Sequence, residues 1–407
     1  MKKAAIIAIL FFLILLGFFV FYKKPFFEKE NKKQTELPEE NTEVLDGKTL
    51  EEQVGQMLMV GFRGTEVSET STIAKAIKEL NLGGVVLFDY DVPSKSFPRN
   101  ILNKEQVKKL TTNLQELATT TLFIAVDAEG GKINRLKEKY GFYNTPSHQE
   151  LGRDESTTRV SEEATKLAKQ LKEMGLNMNL APVVDVNLNP ENPVIGKLER
   201  SFSDDPFKVA EFSEAFIIAH QEEGIITVVK HFPGHGSSKE DSHLELVDIT
   251  DTWQDKELIP YRQLQAGGIF AESGLDNAGK EPLIKAGMTA HIINKNTDPN
   301  LPATLSPLFL RDILREQIGF QGVIISDDMQ MASIVQNFGF EEAIIKAVNA
   351  GCDILIFSNN SNQPYDDEIA FKAQQIIVQA VKEGKISQGT IEQAYQKIQS
   401  LKTEIGL

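Results

Sequence analysis

Eight short apolar runs, separated by stretches of helical period, constrain this chain more than any other feature. The runs are residues 58–62, 84–88, 122–126, 177–181, 226–229, 286–290, 323–326 and 353–357. Several are almost wholly apolar rather than alternating, as parallel strands covered on both faces should be. Between them lie helix-like segments at 105–118, 161–174, 207–222, 308–318, 340–350 and 368–383, and 387–402 makes a last helix. In the second segment Ala164, Leu167, Ala168 and Leu171 share one face. Eight βα units predict an α/β protein built as a single (β/α)8 TIM barrel; a doubly wound open sheet is the main alternative. No segment reads as a second domain, so 48–407 is expected to be one folded body. Residues 266–285, rich in Gly, Asp, Asn and Glu, fit no unit and are expected to be an insertion beside the sixth strand.

The N-terminus has a different character. Residues 4–22 carry no charge, are rich in Ile, Leu and Phe, and lie between Lys2-Lys3 and Lys23-Lys24. As a helix this run spans about 28 Å, close to the hydrocarbon core of a bilayer. It ends in Phe18-Phe19-Val20-Phe21-Tyr22, a poor exit for a signal peptidase. Residues 1–24 are therefore expected to be an uncleaved transmembrane signal-anchor, with the body outside the cytoplasm, or secreted if the anchor is cut. Residues 25–47 are polar and charged and read as a flexible linker. The net charge is −15 and no Lys/Arg run exceeds two residues, which argues against a nucleic-acid partner. A lone cysteine, Cys352, excludes an intramolecular disulfide framework and a multi-cysteine zinc site.

In a barrel, chemistry gathers at the C-terminal ends of the strands, where the βα loops converge. Reading past each run gives Asp89, Asp127, Asp185, Lys230-His231, His291, Asp327-Asp328 and Ser358-Asn359. Strand ends near the surface are polar in any barrel, which explains part of this set. It explains less well the pairs Lys230-His231 and Asp327-Asp328, which abut fully apolar runs.

Three of the six histidines fall within thirteen residues, in Lys230-His231-Phe232-Pro233-Gly234-His235-Gly236 and Asp241-Ser242-His243. Pro233 and the glycines make this a shaped loop rather than a helix. Asp241 stands two residues before His243, and an Asp beside a His holds its tautomer and raises its pKa. Zinc ligation by His231, His235, Asp241 and His243 is the rival reading, weakened because Pro233-Gly234 breaks a helical His-x3-His pair. His148 and His220 read as structural or surface residues. No Gly-x-Ser-x-Gly elbow is present and Cys352 reads as an inert core thiol, so a nucleophile has to be a carboxylate, and Asp327 is the best placed. A carboxylate with a separate proton donor suits glycosidic bond cleavage.

These residues carry a resemblance. The chain resembles glycoside hydrolase family 3, in its bacterial β-N-acetylhexosaminidase branch, over about residues 49–400. The motifs are Asp127-Ala128-Glu129-Gly130-Gly131-Lys132-Ile133-Asn134-Arg135-Leu136, Leu180-Ala181-Pro182-Val183-Val184-Asp185-Val186-Asn187, Glu199-Arg200-Ser201-Phe202, the histidine loop, and Gly322-Val323-Ile324-Ile325-Ser326-Asp327-Asp328-Met329. The resemblance implies a TIM barrel and a retaining exo-hydrolase that removes terminal N-acetylglucosamine from cell-wall fragments or chitin-like oligosaccharides. It implies Asp327 as nucleophile, His243 with Asp241 as acid/base pair, and Asp127, Arg135, Arg200, Lys230 and His231 as sugar-binding residues, with Met329 lining the site. It implies no cofactor and no metal. Ala128 and Lys132 stand where the family usually has Gln and Arg, so those contacts are expected to differ. A β-glucosidase or β-xylosidase of the same family, and a catalytically silent wall-glycan binder, are the alternatives.

Overall fold

A computed structural model describes residues 47–268, 281–404 and 406. The proposed anchor and nearly all of the linker lie outside them, as do residues 269–280 of the expected insertion. Among the described residues, no helix is long and apolar enough to cross a membrane.

Eight parallel strands close into a barrel. They are β1 (Leu58–Gly61), β2 (Gly84–Leu87), β3 (Phe123–Val126), β4 (Met178–Asn179), β5 (Ile226–Phe232), β6 (Ala286–Thr289), β7 (Val323–Asp328) and β8 (Ile354–Phe357). Each coincides with one of the eight apolar runs. Consecutive strands are neighbours, and β8 pairs back onto β1 with Leu58 opposite Leu355 and Val60 opposite Phe357, which removes every edge. Strand residues such as Leu58, Val85, Ile124, Val228, Ile324 and Leu355 are fully buried. Each side chain of this size contributes about 1.5–3 kcal/mol on leaving water.

The helices begin where capping chemistry places them. The Asn103 side chain accepts from the Gln106 N–H to start Lys104–Leu117, and Ser156 does the same for Thr157–Glu173. Asp205 caps Pro206–Glu222, with proline at the first helical position. Ala164, Leu167, Ala168 and Leu171 are buried, as their spacing predicts. Five short helices escape the periodicity reading, Leu50–Gln56, Thr72–Leu80, His148–Arg153, Ile259–Gln265 and Ala332–Phe338. Leu308–Gln317 is wound as a π-helix, with the Ile318 N–H reaching back to Ile313 O at 2.9 Å.

The N-terminal end of the barrel is devoted to holding it together. Asp353, just before β8, accepts from Arg315 at 2.6 Å, from Lys397 at 3.1 Å and from the Ile324 N–H at 2.8 Å. Lys402 donates to the Gln56 side chain at 2.6 Å, and burial pushes its ammonium down to about 7. Cys352 is buried there too, its thiol raised by burial, consistent with a core residue. The seam between β1 and β8 is tight. A Cβ on Gly61 would meet Ser358 O at 1.8 Å, inside any tolerable contact. Gly61→Ala is expected to destabilise the fold by about 2–3 kcal/mol, read as a lower urea midpoint without a change in slope.

Candidate active site

The strand ends bring four charges together out of water. Asp127 follows β3 directly, and Glu129 lies on a small hairpin, Ala128–Gly130 with Ile133–Asn134. Lys230 is the fifth residue of β5, and Arg200 comes from the segment between β4 and the next helix. Lys230 Nζ donates to Asp127 at 2.9 Å and forms an ion pair with Glu129 at 2.7 Å. Arg200 grips Glu129 in a bidentate pair, both bonds 2.7 Å. Arg135 approaches the other Asp127 oxygen at 3.4 Å. Burial opposes ionisation of both carboxylates, but the neighbouring cations win: Asp127 lies far below its usual range and Glu129 is held at about 2. Glu129 in turn holds the buried Arg200 above its usual value.

This cluster fixes the state of His231. Arg200 Nη2–H points at His231 Nε2 at 3.2 Å, so that nitrogen is the acceptor. Nδ1–H then donates to Asp185 at 2.7 Å. Burial first, then the Arg200 and Lys230 charges, push the imidazole well below its ordinary pKa, and it stays neutral. Asp185 also accepts from the backbone N–H groups of His231 at 3.2 Å and His235 at 2.8 Å, which ties the loop after β5 to the loop after β4.

Asp327 stands at the end of β7. The Asp328 N–H donates to it at 2.8 Å. Burial works against its charge, but the imidazoles of His291, His231 and His243 and that N–H offset it, and its carboxyl lies below the ordinary 3.8. Asp328 takes a different part, accepting from the Ser358 side chain and its N–H. His291 is locked, its Nε2–H donating to the Asp328 carbonyl at 3.0 Å and its Nδ1 facing the Thr304 hydroxyl at 2.8 Å.

His243 reaches the same space from the long loop after β5. Its Nδ1 meets Asp241 at 2.7 Å, and Asp241 also accepts the His243 N–H at 2.9 Å. Burial would lower this imidazole, but the Asp241 hydrogen bond and the Asp327 and Asp241 charges outweigh it and hold its pKa above 6.5. Its ring is 59% exposed, unlike every other histidine near the site. The loop beneath is stapled by His235, whose ring bridges the Ser238 hydroxyl at 2.6 Å and the Ser242 hydroxyl at 2.9 Å. Gly236 donates to buried Glu257 at 3.0 Å, and a Cβ on Gly236 would meet Val186 O at 1.7 Å. Burial pushes Glu257 up to about 8, so at neutral pH it accepts as a largely uncharged acid.

Asp127, Arg135, Arg200, Lys230, His231, Asp241, His243 and Asp327 all face one cavity of about 390 Å³, a size suited to a small ligand. Met329 does not. It is buried in the apolar core, with its N–H bonded to Ile356 O, because the chain turns inward after β7. The methionines at the cavity are Met288 and Met331. Three carboxylates escaped assignment to a role. Glu129 lies two residues past Asp127, and strand alternation gives no warning that a hairpin returns it to Lys230. Asp185 was visible as a polar strand end, yet nothing marked it as the partner of His231. Asp89 lines the cavity and pairs with Lys137 at 2.6 Å. His148 and His220 are both buried and structural, His148 stacked on Phe202 and His220 bonded to Asn179 at 3.1 Å. Among the described residues, no group of three or more His, Cys, Asp or Glu is placed to hold a metal ion.

The arrangement lines one cavity with an ionised carboxylate, an imidazole paired to a second carboxylate, and an array of buried donors and acceptors. Comparison with known proteins agrees in kind. Residues 49–401 match the family described as glycosyl hydrolase family 3 N terminal domain. A beta-hexosaminidase of Tolumonas auensis is 34% identical over 308 residues, covering 74% of this chain and 83% of that protein. A beta-hexosaminidase A of Pseudoalteromonas piscicida is 30% identical over 392 residues, covering 88% of this chain and 61% of that one. The solved glycoside hydrolase family 3 beta-N-acetylglucosaminidase of Paenibacillus sp. FPU-7 superposes with a TM-score of 0.76 at 33% identity. That match covers 88% of this chain, and this chain spans 62% of that one. With the matched family spanning nearly the whole described body, the chain belongs to glycosyl hydrolase family 3 and is a glycoside hydrolase.

Proposed function

We propose that the protein is a retaining exo-β-N-acetylhexosaminidase that removes terminal N-acetylglucosamine from cell-wall fragments or chitin-like oligosaccharides. The observation that carries this reading is the meeting of Asp327 and the Asp241-paired His243 at one cavity whose floor is the Asp127–Lys230–Glu129–Arg200 cluster. The family's relatives named beta-hexosaminidase and beta-N-acetylglucosaminidase support the choice of sugar.

The reaction runs in two displacements. An Asp327 oxygen attacks the anomeric carbon as the glycosidic C–O bond breaks, and the leaving oxygen takes the His243 proton. Asp241 holds Nδ1–H, so the transferable proton sits on Nε2. The sugar is then esterified to Asp327. A water gives its proton to neutral His243, attacks the same carbon, and releases Asp327 as carboxylate. The floor residues bind hydroxyls throughout, and His231 enters only as a neutral ring.

Asp327→Ala is expected to lower turnover of an aryl N-acetyl-β-glucosaminide by at least 10⁴-fold, and retention of a tenth of the activity would overturn the nucleophile assignment. His243→Ala slows substrates with poor leaving groups most, because protonation matters least when the aglycone departs easily. The same assignment fixes a pH effect. His243 acts as the acid only when protonated, so kcat/KM falls as pH rises through its pKa. Asp241→Asn removes the largest interaction raising that pKa, and the alkaline limb moves to lower pH. Equal losses across leaving groups, with an unmoved limb, would remove His243 from the role.

We further propose that residues 1–24 anchor the enzyme with its body outside the cytoplasm, on the strength of the uncharged run 4–22 alone. Expression with fractionation and protease treatment of intact cells is expected to find it in the membrane fraction and cleavable from outside; recovery in the soluble cytoplasm would refute this.

A further inference from the structure

The Asp185 side chain is fully buried, and among the described residues His231 is the one ionisable side chain at hydrogen-bond distance from its carboxylate. Its two oxygens have separate tasks. Oδ1 accepts the backbone N–H groups of His231 at 3.2 Å and His235 at 2.8 Å. Oδ2 accepts the His231 ring, with Nδ1 at 2.7 Å. The Ser201 hydroxyl donates to the Asp185 carbonyl at 2.6 Å, which pins the backbone under the carboxylate as well. Burial pushes this carboxyl upward, while the His235 ring, the two N–H groups and Arg200 pull the other way.

A buried carboxylate without a bonded lysine or arginine is costly. Fastening the loop does not demand one, because an asparagine of the same shape accepts both backbone N–H groups through Oδ1. An amide cannot receive the ring N–H, since its own donor then stands in the place of Oδ2. The proton on Nδ1 is in turn demanded from the far side of the ring. Arg200 Nη2 always carries its hydrogens and stands 3.2 Å from His231 Nε2, so Nε2 has to offer a lone pair. His231 and Arg200 both line the cavity, whereas Asp185 lies outside its wall.

We propose that Asp185 is a positioning residue for the sugar-binding floor: its carboxylate keeps the His231 proton on Nδ1, so that the ring can lie as an acceptor beside Arg200. Arg200 is thereby left with its Nε and Nη2 on Glu129, both at 2.7 Å. With asparagine at 185, the two backbone N–H groups hold Oδ1 in place and Nδ2 turns a hydrogen onto Nδ1. The ring proton then moves to Nε2, where it meets the Arg200 N–H, and two donors face each other. This rests on the reading that the cavity holds the sugar whose glycosidic bond is cleaved.

The first test needs no variant of Asp185. In the full chain labelled with nitrogen-15 histidine, with the His231 signals assigned through His231→Gln, the ring is expected to carry its proton on Nδ1 and none on Nε2 at neutral pH. A proton on Nε2, or on both nitrogens, overturns the proposal. Asp185→Asn is then expected to move that proton to Nε2. It is expected to lower kcat/KM for aryl N-acetyl-β-glucosaminides about 10–100-fold. The loss is the same for good and poor leaving groups, and calorimetry shows N-acetylglucosamine itself bound more weakly. A loss concentrated on poor leaving groups would place the effect on the His243 loop, and lost activity with the ring proton unmoved would make Asp185 a structural prop; either result overturns the proposal. The two readings fail separately. If the native protein cleaves no aryl glycoside, the hydrolase reading falls, and the site of the ring proton in the native and Asp185→Asn proteins still decides this one.

Discussion

Two carboxylates and two cations stripped of water at the mouth of the barrel govern everything around them. Asp127, Glu129, Arg200 and Lys230 are costly to desolvate one at a time, and the cost is offset only because each faces opposite charge at hydrogen-bond distance. Loss of one partner from such a group leaves an uncompensated charge and costs about 3–5 kcal/mol. The members come from β3, the hairpin after it, β5 and the segment after β4. The cluster therefore locks the mutual positions of four chain segments as well as presenting polar atoms to a ligand. His231 shows how far this control extends. Its tautomer is decided by Arg200 on one side and Asp185 on the other, and the same Asp185 fastens the loop that leads on to Asp241 and His243.

The residues proposed to carry the chemistry sit on parts of different firmness. Asp327 sits on a barrel strand, where sheet hydrogen bonds define its place. His243 sits on a loop and is defined by local bonds, above all the Asp241 contact and the His235 bridge between Ser238 and Ser242. A neutral Glu257 under Gly236 supports that loop without adding a second negative charge opposite Asp327. Asp327 and His243 thus have separate scaffolds, and each is tuned by the other's charge.

How much of this was legible in the sequence depends on the range of the interaction. The barrel was readable because strands covered on both faces are apolar over most of their length, and several of the eight runs were almost wholly so. Asp327 was readable because it abuts such a run, and the Asp241–His243 pair because its members are two residues apart. Glu129 was not, because its meeting with Lys230 depends on a hairpin that reverses the strand's alternation. Met329 was misplaced for a related reason: the chain turns inward after β7, burying Met329 and returning Met331 to the cavity. The π-winding of Leu308–Gln317 left no mark, since its apolar residues satisfy an ordinary helical pattern equally well. Thr72–Leu80 did carry the signal, with Ile73, Ala76, Ile77 and Leu80 on one buried face, whereas a seven-residue helix such as Leu50–Gln56 lacks the length to declare a period.

The openness of the His243 ring has a chemical consequence. On the proposed cycle the imidazole gives its proton to the leaving oxygen and regains one from the attacking water, and solvent reaches the ring throughout. The same accessibility leaves this ring the most open to acylating reagents among the site's imidazoles, whose counterparts are sealed within the protein.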